Sequence, residues 1–381
     1  SSAASDVYKR QHMRYHEKVY EEINDNEIGN VLQDMYLANG KIYFITQNGK
    51  TSSMGTTFNG DGRFVVCDAH TMKRLVARDM PFYANIDTST GATQSSKSTL
   101  CWPQHIVVVS PEKAYIQYST ADNESHSGIR IVDLQTNIIR TSDIPGTFGV
   151  FTKTGATKAR MIFSRGKVFA GRGNSVIVLD PATDAVIKTV TYENRQVKDL
   201  AKGYDGKIYA IFTGEFTGNS GMTGAASFTK PAMIVALDAN GEVVSETNLP
   251  EQIELRTGTA SPTVQMCASF TQPHLYFIGK QDFSAYEAMR YNYETGKVNW
   301  DYITADLDAD HSGGDIIYGY MGVHPTTEQL WVGKSTYTQS AVHVYDVSRS
   351  DALEFSSFYQ KKASPAGVDF AYRFSDEWIN R

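Results

Sequence analysis

One short pattern occurs six times along the chain and constrains the fold more than any other feature of the sequence. Each copy has a turn that carries Gly, Pro or Asp, followed by a short run of β-forming residues that includes Tyr, Phe or Trp. A second apolar run then ends in Asp or Asn. The first runs are residues 39–45, 112–116, 165–170, 205–210, 274–278 and 329–332, and the second runs are residues 64–68, 129–133, 176–180, 234–238, 289–292 and 342–346.

The spacing of these repeats predicts the architecture. The residues that end the second runs, from Asp68 to Asp346, span 278 positions in five intervals, a mean period of about 56 residues. This period is typical of a four-stranded propeller blade with some long loops. A ring of such blades covers their apolar faces and removes exposed strand edges. We therefore predict an all-β protein with a single β-propeller domain, in which each terminal Asp or Asn caps a tight turn.

The number of blades follows from the length. Residues 12–381 hold between six and seven units of this period. The run 367–374 has the pattern of an inner strand, and residues 18–23 have that of an outer strand, although residues 15–23 also suit a short helix. The prediction is a seven-bladed β-propeller with six complete blades and a closing blade that lacks its middle strands.

The first residues of the chain do not look native. Residues 1–11 resemble a translated sequencing adapter, so we assign the propeller to residues 12–381. On this interpretation the middle strands of the closing blade, and any signal segment or lipid-anchor cysteine, were lost from the amino-terminal end. The absence of a targeting segment is therefore not a sign of a cytoplasmic protein.

The composition excludes several classes of function. The 36 Lys and Arg residues are outnumbered by 42 Asp and Glu residues, and the net charge of −6 argues against a nucleic-acid partner. No apolar run is long enough to be a transmembrane span. Cys67, Cys101 and Cys267 form no CxxC pair, which indicates buried thiols rather than a disulfide framework or a zinc site.

Motifs for metal binding and catalysis are absent or incomplete, so we predict no metal and no cofactor. The acidic segment 306–311 departs from a calcium loop at His311 and at Ile317. GxSxG, HExxH and P-loop patterns are missing. Four histidines could serve an enzyme if distant blades brought them together, although each is better explained as a core or loop residue: His105, His274, His311 and His324.

Polar residues immediately before the inner apolar runs are the candidate ligand-binding residues. The inner strand of each blade begins near one mouth of the central channel, so these side chains are expected to converge there. Both charge signs and an imidazole would suit a polar ligand. The alternative is that they hydrogen-bond neighbouring blades and fill the channel with water. The candidates are Asp34, His105, Arg160, Asp199, Gln265, Tyr320 and Asp369.

Two further features could contribute to a site at the mouth. Trp102, beside Pro103 and His105, either offers a stacking surface or packs between blades. Insertions rich in Gly, Ser and Thr are candidate binding loops, with disorder as the competing interpretation. These insertions are residues 49–62, 85–98 and 214–230.

Several runs carry a family resemblance. Residues 174–186 resemble the YVTN repeat of YncE-like seven-bladed propellers. Residues 29–35, 102–106, 323–327 and 364–374 resemble a family of surface-lipoprotein propellers from gut anaerobes that is related to the cobalamin-binding BtuG proteins. The resemblance covers residues 18–381 and consists mostly of blade scaffolding, so it carries no ligand-specific residue to this chain.

The sequence leaves three alternative functions open, of which the resemblance implies the first. The first is a noncatalytic, exported protein at the cell surface or in the periplasm, which captures a corrinoid or an iron chelate for a TonB-dependent outer-membrane transporter. The second is a propeller enzyme of the lactonase or lyase type. The third is a scaffold for protein interactions.

Overall fold

The computed structural model describes most of the chain, and all statements on structure concern that part. The described residues are 18–48, 62–80, 83–84, 86–87, 92–93, 99–120, 126–150, 159–217, 227–251, 253, 255, 264–279, 287–304, 316–317, 319–335, 340–360 and 366–381.

Six antiparallel four-stranded sheets follow one another along the chain and form the six blades of a β-propeller. Blades 1 to 3 are Asn30–Ala38, Lys41–Asn48, Gly62–Asp68 and Arg74–Met80; Thr99–Ser110, Lys113–Thr120, His126–Asp133 and Ile138–Ile139; and Ile162–Ser164, Lys167–Arg172, Ser175–Asp180 and Ala185–Thr191. Blades 4 to 6 are Val197–Lys202, Ile208–Phe212, Met233–Leu237 and Val243–Asn248; Cys267–Ala268, His274–Phe277, Glu287–Asn292 and Val298–Thr304; and Gly322–Val323, Gln329–Ser335, Ser340–Asp346 and Leu353–Gln360.

A few short elements lie outside this scheme. Tyr83–Ala84 and Gly149–Val150 extend blade 2, and Ile316–Ile317 extends blade 6. Two small hairpins project between strands, and they are Ile86–Asp87 with Ala92–Thr93 and Glu215–Thr217 with Ser227–Lys230. The helices of the described residues are α1 at Val19–Asn24, a 3-10 helix at Ala371–Phe374 and α2 at Asp376–Ile379. Within the described residues, no helix has the length and hydropathy that crossing a bilayer requires.

The first runs of the six repeats form the second strands of the blades and the second runs form the third strands, so each repeat marks one blade, as the sequence predicts. The predicted turn caps are also confirmed in every blade, because the terminal Asp or Asn accepts backbone N–H groups of the following turn through Oδ1. In blade 4, for example, Asp238 Oδ1 accepts from Asn240 at 2.8 Å and from Glu242 at 2.9 Å. The equivalent caps are Asp68, Asp133, Asp180, Asn292 and Asp346.

Apolar side chains between the blades form the core. Ile45 of blade 1 and Ile106 of blade 2 belong to one buried cluster, and further clusters join blades 3 and 4, blades 4 and 5, and blades 5 and 6. Full burial of one such side chain stabilises the fold by roughly 1.5 to 3 kcal/mol, so inter-blade packing dominates the stability of the ring. Cys67 and Cys101 are buried, Cys267 is partly buried, and all three are free thiols.

The prediction of a seventh, closing blade is wrong. Residues 18–23 do not form an outer strand, because α1 lies on blade 1 and its Tyr20 packs among Phe44, Val65 and Cys67. Residues 367–374 do not form an inner strand either. Gly367 makes a single parallel bridge with Tyr320, and the chain then enters the 3-10 helix. Both segments cover apolar sheet faces, which is why their composition resembles that of strands.

Candidate functional site

β-bulges direct the candidate side chains towards the central axis. The strand register shifts immediately before Asp34 in blade 1, before His105 in blade 2 and before Asp199 in blade 4. An extra residue in one strand re-aims the side chain that follows it, and bulges are common beside functional sites. In blade 5, Gln265 has a positive φ of 50°, which also turns the backbone before a short inner strand.

The predicted residues meet at the axis. His105 Nδ1 lies 3.5 Å from Asp34 Oδ2, and the His105 ring contacts the Tyr320 ring edge-on with centroids 6.2 Å apart. The Arg160 guanidinium stacks on the Tyr320 ring, 3.6 Å from its centroid, and its Nη2 lies 3.6 Å from Asp369 Oδ2. These contacts span the channel between blades 1, 2, 3 and 6 and the carboxyl-terminal segment.

Asp199 and Gln265 complete this group on the side of blades 4 and 5. The charge of Arg160 acts on Asp199, whose Oδ2 accepts from the N–H of Met266, the residue after Gln265. We call the seven residues that sequence reasoning proposed the axial layer. They are Asp34, His105, Arg160, Asp199, Gln265, Tyr320 and Asp369. Their predicted proximity is observed, and ligand binding by them stays a prediction.

Two carboxylates of the axial layer hold neighbouring blades together. Asp34 accepts from its own strand at Met35 through Oδ1 and from blade 2 at Ile106 through Oδ2, at 2.9 and 3.1 Å. Asp199 repeats this arrangement between blades 4 and 5, accepting from Leu200 at 2.9 Å and from Met266 at 2.8 Å. For these two residues, the alternative that the candidates hydrogen-bond neighbouring blades therefore applies.

The pKa values of Asp34 and Asp199 in the axial layer shift in opposite directions. Burial raises the pKa of Asp199 to about 7, although two backbone N–H groups and Arg160 oppose the shift. Burial also acts on Asp34, but the neighbouring His105 and the charges of Arg160 and Arg373 together hold the pKa of Asp34 below its usual value. Asp34 is therefore ionised at neutral pH, whereas Asp199 is poised near neutrality.

Two polar atoms of the layer have unused hydrogen-bonding capacity. Among the described residues, neither Arg160 Nε nor Gln265 Oε1 has a hydrogen-bond partner, and both atoms are buried. Buried polar atoms are normally satisfied, so each such exception calls for a partner such as water or a ligand. One of the two atoms is a donor and the other is an acceptor.

An apolar cavity lies directly beyond the axial layer. It is lined by residues that follow the layer in blades 3 to 6 and by Tyr36 of blade 1. The carboxyl-terminal segment 366–381 provides the rest of its wall through Phe370, Arg373 and Trp378. We call this space the axial cavity. Arg160 and Asp369 border both the layer and the cavity.

The sequence prediction included Asp369 but missed the rest of the carboxyl-terminal segment, residues 370–381, as part of the site. Lys202 of blade 4 donates to the backbone oxygens of Trp378 and Ile379, at 2.6 and 3.2 Å, and fixes α2 against the ring. A signal for α2 was present, since Ser375 precedes two acidic residues, an arrangement typical of a helix start. The Oγ of Ser375 accepts a hydrogen bond from the Trp378 N–H at 3.2 Å.

The other candidates lie outside this group. Trp102 is partly exposed in the first strand of blade 2, opposite Ser119. His274 is partly buried, and burial lowers its pKa to about 4, while His324 packs edge-on against Phe370. No set of three or more potential metal ligands occurs in the described parts of the chain. Residues 306–311, 49–61 and the centres of the other two insertions lie outside the described residues.

Comparison with known proteins assigns the chain to a family. Its sequence matches the profile of a domain of unknown function, DUF5074, over residues 2–370. The chain belongs to the DUF5074 family. No curated protein matches the chain in sequence.

Solved structures share the fold of this DUF5074 member. A quinonprotein alcohol dehydrogenase-like protein from Bacteroides thetaiotaomicron VPI-5482 has 16% identity and a TM-score of 0.56, covering 92% of this chain and 72% of its own. Streptogramin B lyase has 12% identity and a TM-score of 0.51, with 91% and 89% covered. Hydrazine synthase from Kuenenia stuttgartiensis has 13% identity and a TM-score of 0.50, with 87% and 80% covered. These similarities support a β-propeller fold and do not support membership of the YncE-like or BtuG families.

Proposed function

We propose that the protein is a noncatalytic ligand-binding propeller that holds its ligand at the mouth of the channel, above the axial layer. The observation that carries the proposal is the meeting of polar side chains of blades 1, 2, 3 and 6 at one axis, beside the buried acceptor Gln265 Oε1, which has no partner among the described residues. Such a preorganised concave site on rigid strands suits a ligand with carbonyl, amide or carboxylate groups.

The use of the carboxylates supports binding rather than catalysis. Asp34 and Asp199 each commit both oxygens to backbone N–H groups, so neither carboxylate is free to move towards a substrate. A general base needs access to the proton that it removes. In these two residues the hydrogen bonds instead fix the walls of the site.

The identity of the ligand and the location of the protein rest on the sequence resemblance alone. On that basis we propose a corrinoid or an iron chelate as ligand, a TonB-dependent transporter as partner, and export to the cell surface or periplasm. Ligands of this size would lie at the mouth, because the contacts between His105, Tyr320 and Arg160 close the channel at the axial layer.

Calorimetry with cyanocobalamin and ferrichrome tests this proposal. We expect the wild-type protein to bind one of the two, and Gln265→Met to weaken that binding about fivefold by removing a buried acceptor. Gln135→Met, in an exposed turn of blade 2, is the matched control and should bind like the wild type. Absence of binding to both probes, or unchanged affinity in Gln265→Met, would overturn the proposal.

One observation favours a second candidate, an enzyme of the lyase or lactonase type. The His105 imidazole lies beside the Asp34 carboxylate, and a carboxylate next to an imidazole is a common arrangement for a general base. If this candidate is correct, the wild-type protein turns over lactone substrates and His105→Gln loses that turnover while keeping its fold. Equal residual activity in both proteins would reject it.

A further inference from the structure

The axial cavity carries an excess of positive charge inside an otherwise apolar wall. Arg160, Lys202 and Arg373 line it, whereas Asp369 is the one carboxylate among the described residues of its lining. Cys267 adds no negative charge, because burial raises the pKa of its thiol and keeps it protonated. Buried charges are costly unless they are paired, so the lining favours an anion as occupant.

The existing contacts leave Arg160 as the cation with spare capacity. Arg373 holds Asp369 in a two-pronged contact, with distances of 2.7 and 3.3 Å. Lys202 uses backbone oxygens of the carboxyl-terminal segment. Arg160 lies at 3.6 Å from Asp369, beyond hydrogen-bonding distance, and its Nε has no partner in the described part of the protein.

The rest of the wall is suited to an apolar body. The lining includes the aromatic residues Phe270, Phe370 and Trp378 and the methionines Met266 and Met321. Phe270 and Trp378 contact each other edge-on, with centroids 4.7 Å apart. Aromatic and thioether groups contribute contact surface for hydrophobic or aromatic ligands and do not compete for hydrogen bonds.

We propose that the axial cavity binds a small carboxylate with an aromatic or aliphatic body, whose carboxylate pairs with Arg160 while the body packs on Phe270, Phe370 and Trp378. This site lies on the opposite side of the axial layer from the mouth and shares Arg160 with the layer. The guanidinium of Arg160 offers the planar donor geometry that a carboxylate matches.

Binding of 4-phenylbutyrate, measured by calorimetry beside its neutral and cationic analogues 4-phenylbutanol and 4-phenylbutylamine, tests this proposal. We expect the acid to bind at least tenfold more tightly than the alcohol, and the amine not to bind, because only the acid pairs with Arg160. Equal affinity of acid and alcohol, or no binding of the acid at millimolar concentration, overturns the proposal. Both outcomes are independent of cobalamin binding and can be read from the wild-type protein alone.

Variants then locate the site. Arg160→Gln should lower the affinity for the acid at least tenfold and change the affinity for the alcohol by no more than about twofold. Arg160→Lys should retain part of the preference for the acid. The control Arg349→Gln, in an exposed turn, should change the affinity for neither compound.

Trp378→Ala should weaken the binding of the acid and of the alcohol alike. Trp300→Ala, at an exposed tryptophan, should leave both affinities unchanged. Circular dichroism verifies that each variant is folded, and unchanged acid binding in a folded Arg160→Gln protein overturns the assignment.

Discussion

Asp34 and Asp199 occupy equivalent positions in blades 1 and 4, and the pKa values of their carboxyl groups shift in opposite directions. Each follows a β-bulge and accepts one N–H from its own strand and one from the next blade. Burial acts to raise the pKa of both carboxyl groups. Asp34 has His105 as an immediate neighbour, whereas Asp199 has no imidazole beside it among the causes of its shift. The lowered pKa of Asp34 therefore comes from His105 and from the charges of Arg160 and Arg373 together, whereas Arg160 is the charged side chain that opposes burial at Asp199.

Asp199 predicts a pH dependence of stability. Its pKa of about 7 in the folded protein lies above the usual 3.8, so the protonated form is favoured in the fold. The associated stability is fully present below about pH 4 and is lost as the pH rises through 7. We expect the cost of Asp199→Asn, measured as the change in free energy of unfolding in urea, to shrink by about 1 to 3 kcal/mol between pH 5 and pH 8. A cost of Asp199→Asn that stays constant between pH 5 and pH 8 would contradict the raised pKa of Asp199.

At the scale of elements, the turn after the third strand repeats one device in every blade. The cap is an Asp in five blades and an Asn in blade 5, where Asn292 Oδ1 accepts from Glu294 and Thr295. The side-chain oxygen, rather than the negative charge, is therefore the common requirement. This is also why the sequence alone identifies these turns, since the cap and the turn are adjacent along the chain.

Substitution of one cap separates the oxygen from the charge. Asp238→Ala removes the acceptor of two backbone N–H groups and should lower the free energy of unfolding by about 1 to 2 kcal/mol. Asp238→Asn keeps the acceptor, as Asn292 does, and should stay within about 0.5 kcal/mol of the wild type. Urea denaturation of the three proteins gives both values, and equal losses in the two variants would assign the effect to charge.

The carboxyl-terminal segment is held by the ring at a few defined contacts. Lys202 provides two of them and Arg165 another two, through its N–H to Ile379 and its Nε to Arg381. Lys202→Met should speed amide exchange of residues 378–380 about tenfold, because two hydrogen bonds to the segment are lost. Lys207→Met, at a more exposed lysine of the same blade, is the control. Exchange that is equally slow in both variants would show that other contacts hold the segment.

At the scale of the whole molecule, the sequence predicts the repeating part of the fold and fails at its ends. Six repeats identify six blades, and the position before each inner apolar run identifies the axial layer, because the same register recurs in every blade. The seventh blade was predicted from the length and from the strand-like patterns of residues 18–23 and 367–374. Residues 18–24 and 367–379 are apolar because they cover sheet faces, and an apolar pattern alone does not distinguish a covering helix from a strand. The axial cavity could not be foreseen, since it depends on where the carboxyl-terminal segment lies.

A crystal structure of the protein with 4-phenylbutyrate tests most directly whether a six-bladed ring brings distant residues to one ligand-binding axis. We expect six four-stranded sheets, Asp34, His105, Arg160 and Tyr320 in mutual contact, and the ligand carboxylate within hydrogen-bonding distance of Arg160. A seventh four-stranded sheet between blades 6 and 1, or a ligand bound away from Arg160, would overturn this expectation.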